Sequence, residues 1–149
     1  PGLHKVYYPE VIFDDTEVVN VRTFDSLSIK DVNFMAIDTQ GYELEVLKGS
    51  NENLNFIDYL IVEVNRKYLY KDAPLEKEID SFLRPFGFIR LVTSYWGTEC
   101  VWGDGFYVKK NKLSQRLILK TLIKNFLYKS MLIYKTVRFI KNFVKGVNL

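Results

Sequence analysis

Three polar side chains within six residues carry the first sign of chemistry: Asp38, Gln40 and Glu43, in the run Ile37-Asp38-Thr39-Gln40-Gly41-Tyr42-Glu43. They follow the apolar segment Phe34 to Ile37, which reads as a strand, and they open a helical pattern from about Tyr42 to Lys48. In an open parallel sheet the ligand crevice lies beyond the carboxyl ends of the strands, so a carboxylate and an amide at such a turn can reach a bound molecule. The turn also has a mechanical reading. Gly41 permits a sharp bend, Glu43 and Glu45 favour the first helical turn against the positive end of the dipole, and Lys48 with Gly49 closes the helix. Helix chemistry accounts for Gly41, Glu45, Lys48 and Gly49, but it does not require Asp38 or Gln40.

Other reactive residues are few. His4 is the only histidine and Cys100 the only cysteine, which excludes an internal disulfide framework, a cysteine-rich zinc site and a histidine-rich metal site. A Ser-His-Asp triad would depend on a residue close to the chain start. His4 therefore reads as a loop residue, and Cys100 as a small buried thiol. The sparse cysteine points to a reducing, cytoplasmic setting. Between two expected strands lies an aromatic loop, Tyr95 to Trp102, in which Trp96 can wall a sugar or planar substrate and Trp102 reads as packing.

These side chains need a scaffold, and 149 residues with a 48% apolar fraction are enough for a single core. Val18 to Arg22 alternates like a strand, a turn or short helical segment follows around Asp25 to Ile29, and Phe34 to Ile37 is the next strand. Asp58 to Val64 is a near-continuous β-branched and aromatic run of the kind covered on both faces. A helix from about Leu75 to Phe86, opened by Pro74 and closed by Gly87, precedes strands at Phe88 to Thr93 and Gly105 to Lys109. Strand and helix alternation of this kind specifies an α/β fold with a largely parallel sheet.

Charge divides the chain. Residues 1–108 hold 10 Lys/Arg against 18 Asp/Glu, and residues 109–149 hold 11 Lys/Arg and no acid. In that tail Leu119, Leu122, Ile123, Phe126, Ile133, Val137, Ile140 and Val144 recur near helical spacing, beside a basic face that includes Lys120, Lys124, Lys135 and Arg138. Residues 112–146 thus read as a basic amphipathic helix that can lie on an anionic membrane surface, peripheral at the inner face, or fold back on the acidic body. Nucleic acid is disfavoured as a partner because the body repels phosphates. The chain opens at Pro1 with neither an initiator methionine nor a signal-peptide pattern, which suggests that something precedes it.

Taken in order, Val21-Arg22-Thr23-Phe24-Asp25-Ser26-Leu27, the run from Ile37 to Gly49, Glu63-Val64, Gly87-Phe88 and Phe106-Tyr107-Val108-Lys109 resemble the C-terminal half of the FkbM-type methyltransferases. The resemblance covers roughly residues 1–110, with 111–149 as a separate helical tail. It implies a Rossmann-like fold, here the second half of a mostly parallel sheet with an antiparallel last strand, and S-adenosylmethionine as cofactor. The implied reaction is O-methylation of a sugar, glycan or natural-product hydroxyl. By position, Asp38 and Glu43 would be catalytic, Asp38 and Gln40 would meet the cofactor, and Glu63, Asn65 and Trp96 would meet the acceptor. A divalent ion on oxygen ligands is compatible with these places but is not the favoured reading. The family's glycine-rich turn has no counterpart, since the one Gly-x-Gly, Gly103-Asp104-Gly105, precedes a strand. A partial domain inactive by itself is therefore expected, with a non-catalytic remnant or interaction module as the alternative.

Overall fold

Runs of β-branched and aromatic residues become strands, and the computed structural model, which describes residues 6, 9–12, 14–96, 99–121 and 123, joins them into one sheet. β1 (Phe34–Ile37) is followed by helix α1 (Glu43–Lys48), β2 (Tyr59–Asn65), helix α2 (Glu76–Leu83), β3 (Phe88–Trp96) and β4 (Trp102–Lys109). Short 3-10 turns lie at Asp25–Leu27, Asn53–Asn55, Arg84–Phe86 and Lys110–Lys112. The strand order is β1-β2-β4-β3. β1 and β2 pair in parallel, with Phe34 opposite Tyr59 and Ile37 opposite Val62, while β4 runs antiparallel to both β2 and β3. β1, β2 and β3 therefore point one way. The expected parallel set is present, but the antiparallel strand is inserted between β2 and β3, so of these four strands only β1 and β2 form a parallel hydrogen-bonded pair.

The core forms where α1 and α2 cover the middle of this sheet. Leu47 from α1, Ile79 and Leu83 from α2, and Leu60, Val62, Val64, Phe88 and Tyr107 from the strands pack into one buried cluster. β2 is covered on both faces only toward its carboxyl end: Ile61 is exposed and Tyr59 half-buried, against the expectation from the continuous apolar run, whereas Glu63, Val64 and Asn65 are all buried. Burying two polar side chains there costs free energy unless they are used.

Several expectations change. Val18 to Arg22 is not a strand: it carries no regular structure and makes no backbone hydrogen bond to another strand among the described residues, and Val18 is fully exposed. Alternation alone does not make a strand without a neighbour to pair with. The aromatic segment is sheet at both ends, since β3 runs on to Trp96 and β4 begins at Trp102, the two tryptophans facing each other in register. Gly103 makes that pairing possible, because a Cβ there would lie 2.2 Å from the Ser94 carbonyl oxygen. Its Gly-x-Gly is thus a device for close strand approach. Cys100 is exposed in the turn beside β4 and is not the buried thiol expected. Gly49 has an ordinary helical φ of −73°, so α1 ends without a left-handed glycine cap.

Contacts divide the chain into Pro1–Leu113 and Ser114–Leu149. In the second unit residues 115–121 are helical, started by Ser114, whose Oγ accepts the Leu117 N–H at 3.1 Å. The rest of the expected amphipathic helix, from residue 124 to 146, lies outside the described residues. No helix among the described residues is long and apolar enough to cross a membrane.

Candidate functional site

The turn between β1 and α1 is held by its own glutamate. Glu43 is fully buried, and its Oε1 accepts the Thr39 and Gly41 N–H groups at 3.0 Å each and the Thr39 hydroxyl at 3.3 Å. This carboxylate replaces the ladder that β1 loses at Ile37. Gly41 adopts φ +103° and packs so close to Tyr70 and Ala73 that an added Cβ would lie 3.0 Å from the Tyr70 ring. Its neighbour Gln40 is forced to φ +55°, a conformation that costs a non-glycine residue free energy and recurs at functional sites.

Gln40 uses this posture to hold two acids. Its Nε2 donates to Asp38 Oδ1 at 2.6 Å and to Glu63 Oε2 at 3.2 Å, while its Oε1 accepts the Tyr70 hydroxyl. Asp38 is exposed at the end of β1, and Glu63 is 8% exposed near the end of β2. Across the sheet from Glu63, in register, stands Asp104 of β4, whose Oδ2 accepts the Trp96 indole N–H at 3.1 Å. Asp38, Gln40, Glu63, Tyr70, Trp96 and Asp104 line a cavity of about 210 Å³. Burial first, then the hydrogen bond with Asp38 and the charges of Asp38, Glu43 and Asp104, push the Glu63 carboxyl up to about 8. Close acids cannot all ionise cheaply, so the group retains a proton near neutrality.

Of the residues singled out from the sequence, the cavity gathers Asp38, Gln40, Glu63 and Trp96. It does not take Glu43 or Asn65 into its wall. Glu43 lies beneath the turn as a strut, and Asn65 is fully buried with both side-chain polar atoms lacking hydrogen-bond partners. Tyr70 and Asp104 were not foreseen. Tyr70 sits in a loop with no distinguishing pattern, whereas Asp104 lies between the two glycines of Gly103-Asp104-Gly105, a signal that acquires meaning only once β4 is set opposite Glu63.

A larger cavity, about 390 Å³, opens on the other arm of the sheet beside Asp80 and Arg90. Its central charges are matched to one another: Arg90 binds Asp80 at 2.7 Å and Glu76 at 2.8 Å, with Tyr95 on Glu76 and Tyr107 on Asp80. Such a network fixes α2 on the sheet.

A family model described as the methyltransferase FkbM domain matches residues 4–90. The match takes in β1, α1, β2 and α2 and stops in β3, so Asp38, Gln40, Glu43 and Glu63 lie inside it and Trp96 and Asp104 beyond it. No curated protein and no solved structure matches the chain.

Proposed function

The chain belongs to the FkbM methyltransferase family, and from that premise we propose that the Asp38–Gln40–Glu63 cluster accepts the proton of an acceptor hydroxyl during S-adenosylmethionine-dependent O-methylation. One observation carries the reading: two carboxylates from adjacent strand ends, held by a single amide, face one cavity. A hydroxyl oxygen attacking a methyl group must lose its proton, and a carboxylate whose pKa has been raised toward the working pH is suited to take it. S-adenosylmethionine, when bound, supplies the electrophilic methyl group. Gln40 orients both acids through its amide hydrogens, Tyr70 fixes that amide by donating to its oxygen, and Trp96 offers a flat wall to a sugar ring.

The acidic wall suits a hydroxyl donor and the positive sulfonium end of the methyl donor. The adenosine end finds less: no described strand is followed by a glycine-rich turn, and a 210 Å³ cavity is below the roughly 300 Å³ at which small-molecule pockets begin. The residues present thus fit the acceptor side of such a site, which supports the view that this chain supplies part of a methyltransferase domain. The same shortage favours a second reading, a non-catalytic module that keeps the sheet and the basic tail.

Transfer of a labelled methyl group from S-adenosylmethionine to a panel of sugar and glycan hydroxyls tests the first reading. In a complete methyltransferase domain that contains this chain, Asp38→Ala is expected to cut turnover about 100-fold with an unchanged melting temperature, the scale of a lost general base, while Glu45→Ala on the exposed face of α1 leaves both unchanged. Absence of both donor binding and transfer to any acceptor in that complete domain would favour the module.

A further inference from the structure

We infer that Asp38, Glu43 and Glu63 form a binding site for a hard divalent cation of the magnesium or manganese class. One carboxylate oxygen from each lies within 4.8 Å of the other two. Opposite oxygen ligands are about 4 Å apart around magnesium and about 5 Å apart around a larger ion such as calcium, so one ion can be reached by all three with small side-chain adjustments.

Acids gather at many surfaces without binding anything, but this cluster differs in what surrounds it. Glu43 is fully buried; its Oε1 is satisfied by three donors of the turn, whereas its Oε2 is buried with no hydrogen-bond partner among the described residues. A buried carboxylate oxygen without a donor is among the most costly groups to leave unmatched. Asn65 repeats the signal. Two residues beyond Glu63 and on the same face of β2, it is fully buried, and its Oδ1, an oxygen of the kind a hard cation takes, has no hydrogen-bond partner among the described residues.

Among the described residues no protein cation forms an ion pair with these acids. The ion pairs among the described residues join Lys48, Arg66, Lys67, Arg90 and Lys112 to other acids, and none reaches Asp38, Glu43 or Glu63. The amide hydrogens of Gln40 are already engaged by Asp38 and Glu63. An all-oxygen, anionic ligand set selects a hard cation over zinc or copper. Exposed Asp38 provides the entry path and leaves part of the coordination sphere open toward the cavity, where water or an acceptor hydroxyl would complete it. The inference rests on this geometry alone and stands whether or not the chain transfers methyl groups.

Manganese titrated into the full chain after chelator treatment, read by the loss of the free-ion electron paramagnetic resonance signal, tests the site. Saturable binding of one ion per chain is expected, displaced by excess magnesium. Asp38→Asn, which alters an exposed side chain, and Glu63→Gln should each weaken it about tenfold or more. Glu45→Gln, on the same helix as Glu43 but outside the cluster, should leave it unchanged. Absence of saturable manganese binding to the folded wild-type chain, or binding that both cluster substitutions leave intact, would overturn the assignment. Manganese binding without methyl transfer would leave the site standing and count only against the catalytic reading.

Discussion

Glu63 shows how a residue can be conspicuous in a sequence while its surroundings are not. Its place near the end of an apolar run marked it for the rim, but only the register that sets Asp104 opposite it, and the turn that brings Asp38 and Glu43 beside it, explain why its carboxyl is pushed up to about 8. The linkage sign follows from that shift. The unfolded chain releases this proton near the ordinary carboxylate value and the folded chain only near 8, so Glu63 makes no difference below about 4.5 and lowers stability progressively as pH rises toward 8. Glu63→Gln should therefore melt a few degrees higher than wild type at pH 8.5 in metal-free buffer and show little difference at pH 4.5; thermal melts at the two values check it, and an equal difference at both would mean that Glu63 is not titrating in this window. Asp38 and Gln40 were legible because helix chemistry left them unexplained. Glu43 was legible as important, but its fully buried position beneath the turn depends on tertiary packing that spacing does not encode.

Among the elements, β1, α1, β2 and α2 were legible to within a residue or so at most ends, because each has one unambiguous period and few competing neighbours. The β3–β4 hairpin was not. Tyr95, Trp96 and Trp102 combine strand propensity with an aromatic density that also suits a loop, and what decides between them is the close approach of two backbones at Gly103. Gly103→Ala places a methyl group against the Ser94 carbonyl and Tyr95 Cα, both part of the opposing backbone, so it cannot be accommodated by rotating a side chain. The expected cost is about 2 kcal/mol or more, in the range of overpacked sites, read by denaturant unfolding, with Trp96 displaced from Asp104. A wild-type unfolding midpoint in this variant would show that the hairpin can open there at little cost. Val18 to Arg22 failed for the opposite reason: its alternation is real, but no described strand lies beside it.

For the whole chain, the division of charge was the plainest property of the sequence, and the change to a second unit after Leu113 falls within that basic region. If residues 112–146 lie on an anionic surface, each lysine or arginine near the headgroups contributes on the order of 1 kcal/mol. The chain should then sediment with anionic vesicles, be released by high salt, and bind neutral vesicles poorly; equal retention on neutral lipid would instead mark a hydrophobic contact. The family assignment was readable from a few short segments in order, whereas the acceptor was not, because specificity resides in cavity walls contributed by separate strands and loops. Those walls have an optical consequence. The chain contains two tryptophans, and both Trp96 and Trp102 line the 210 Å³ cavity. Its entire indole emission therefore originates at one place, so a change in intrinsic fluorescence on adding a sugar, a methyl donor or an ion would report on that cavity without any introduced label.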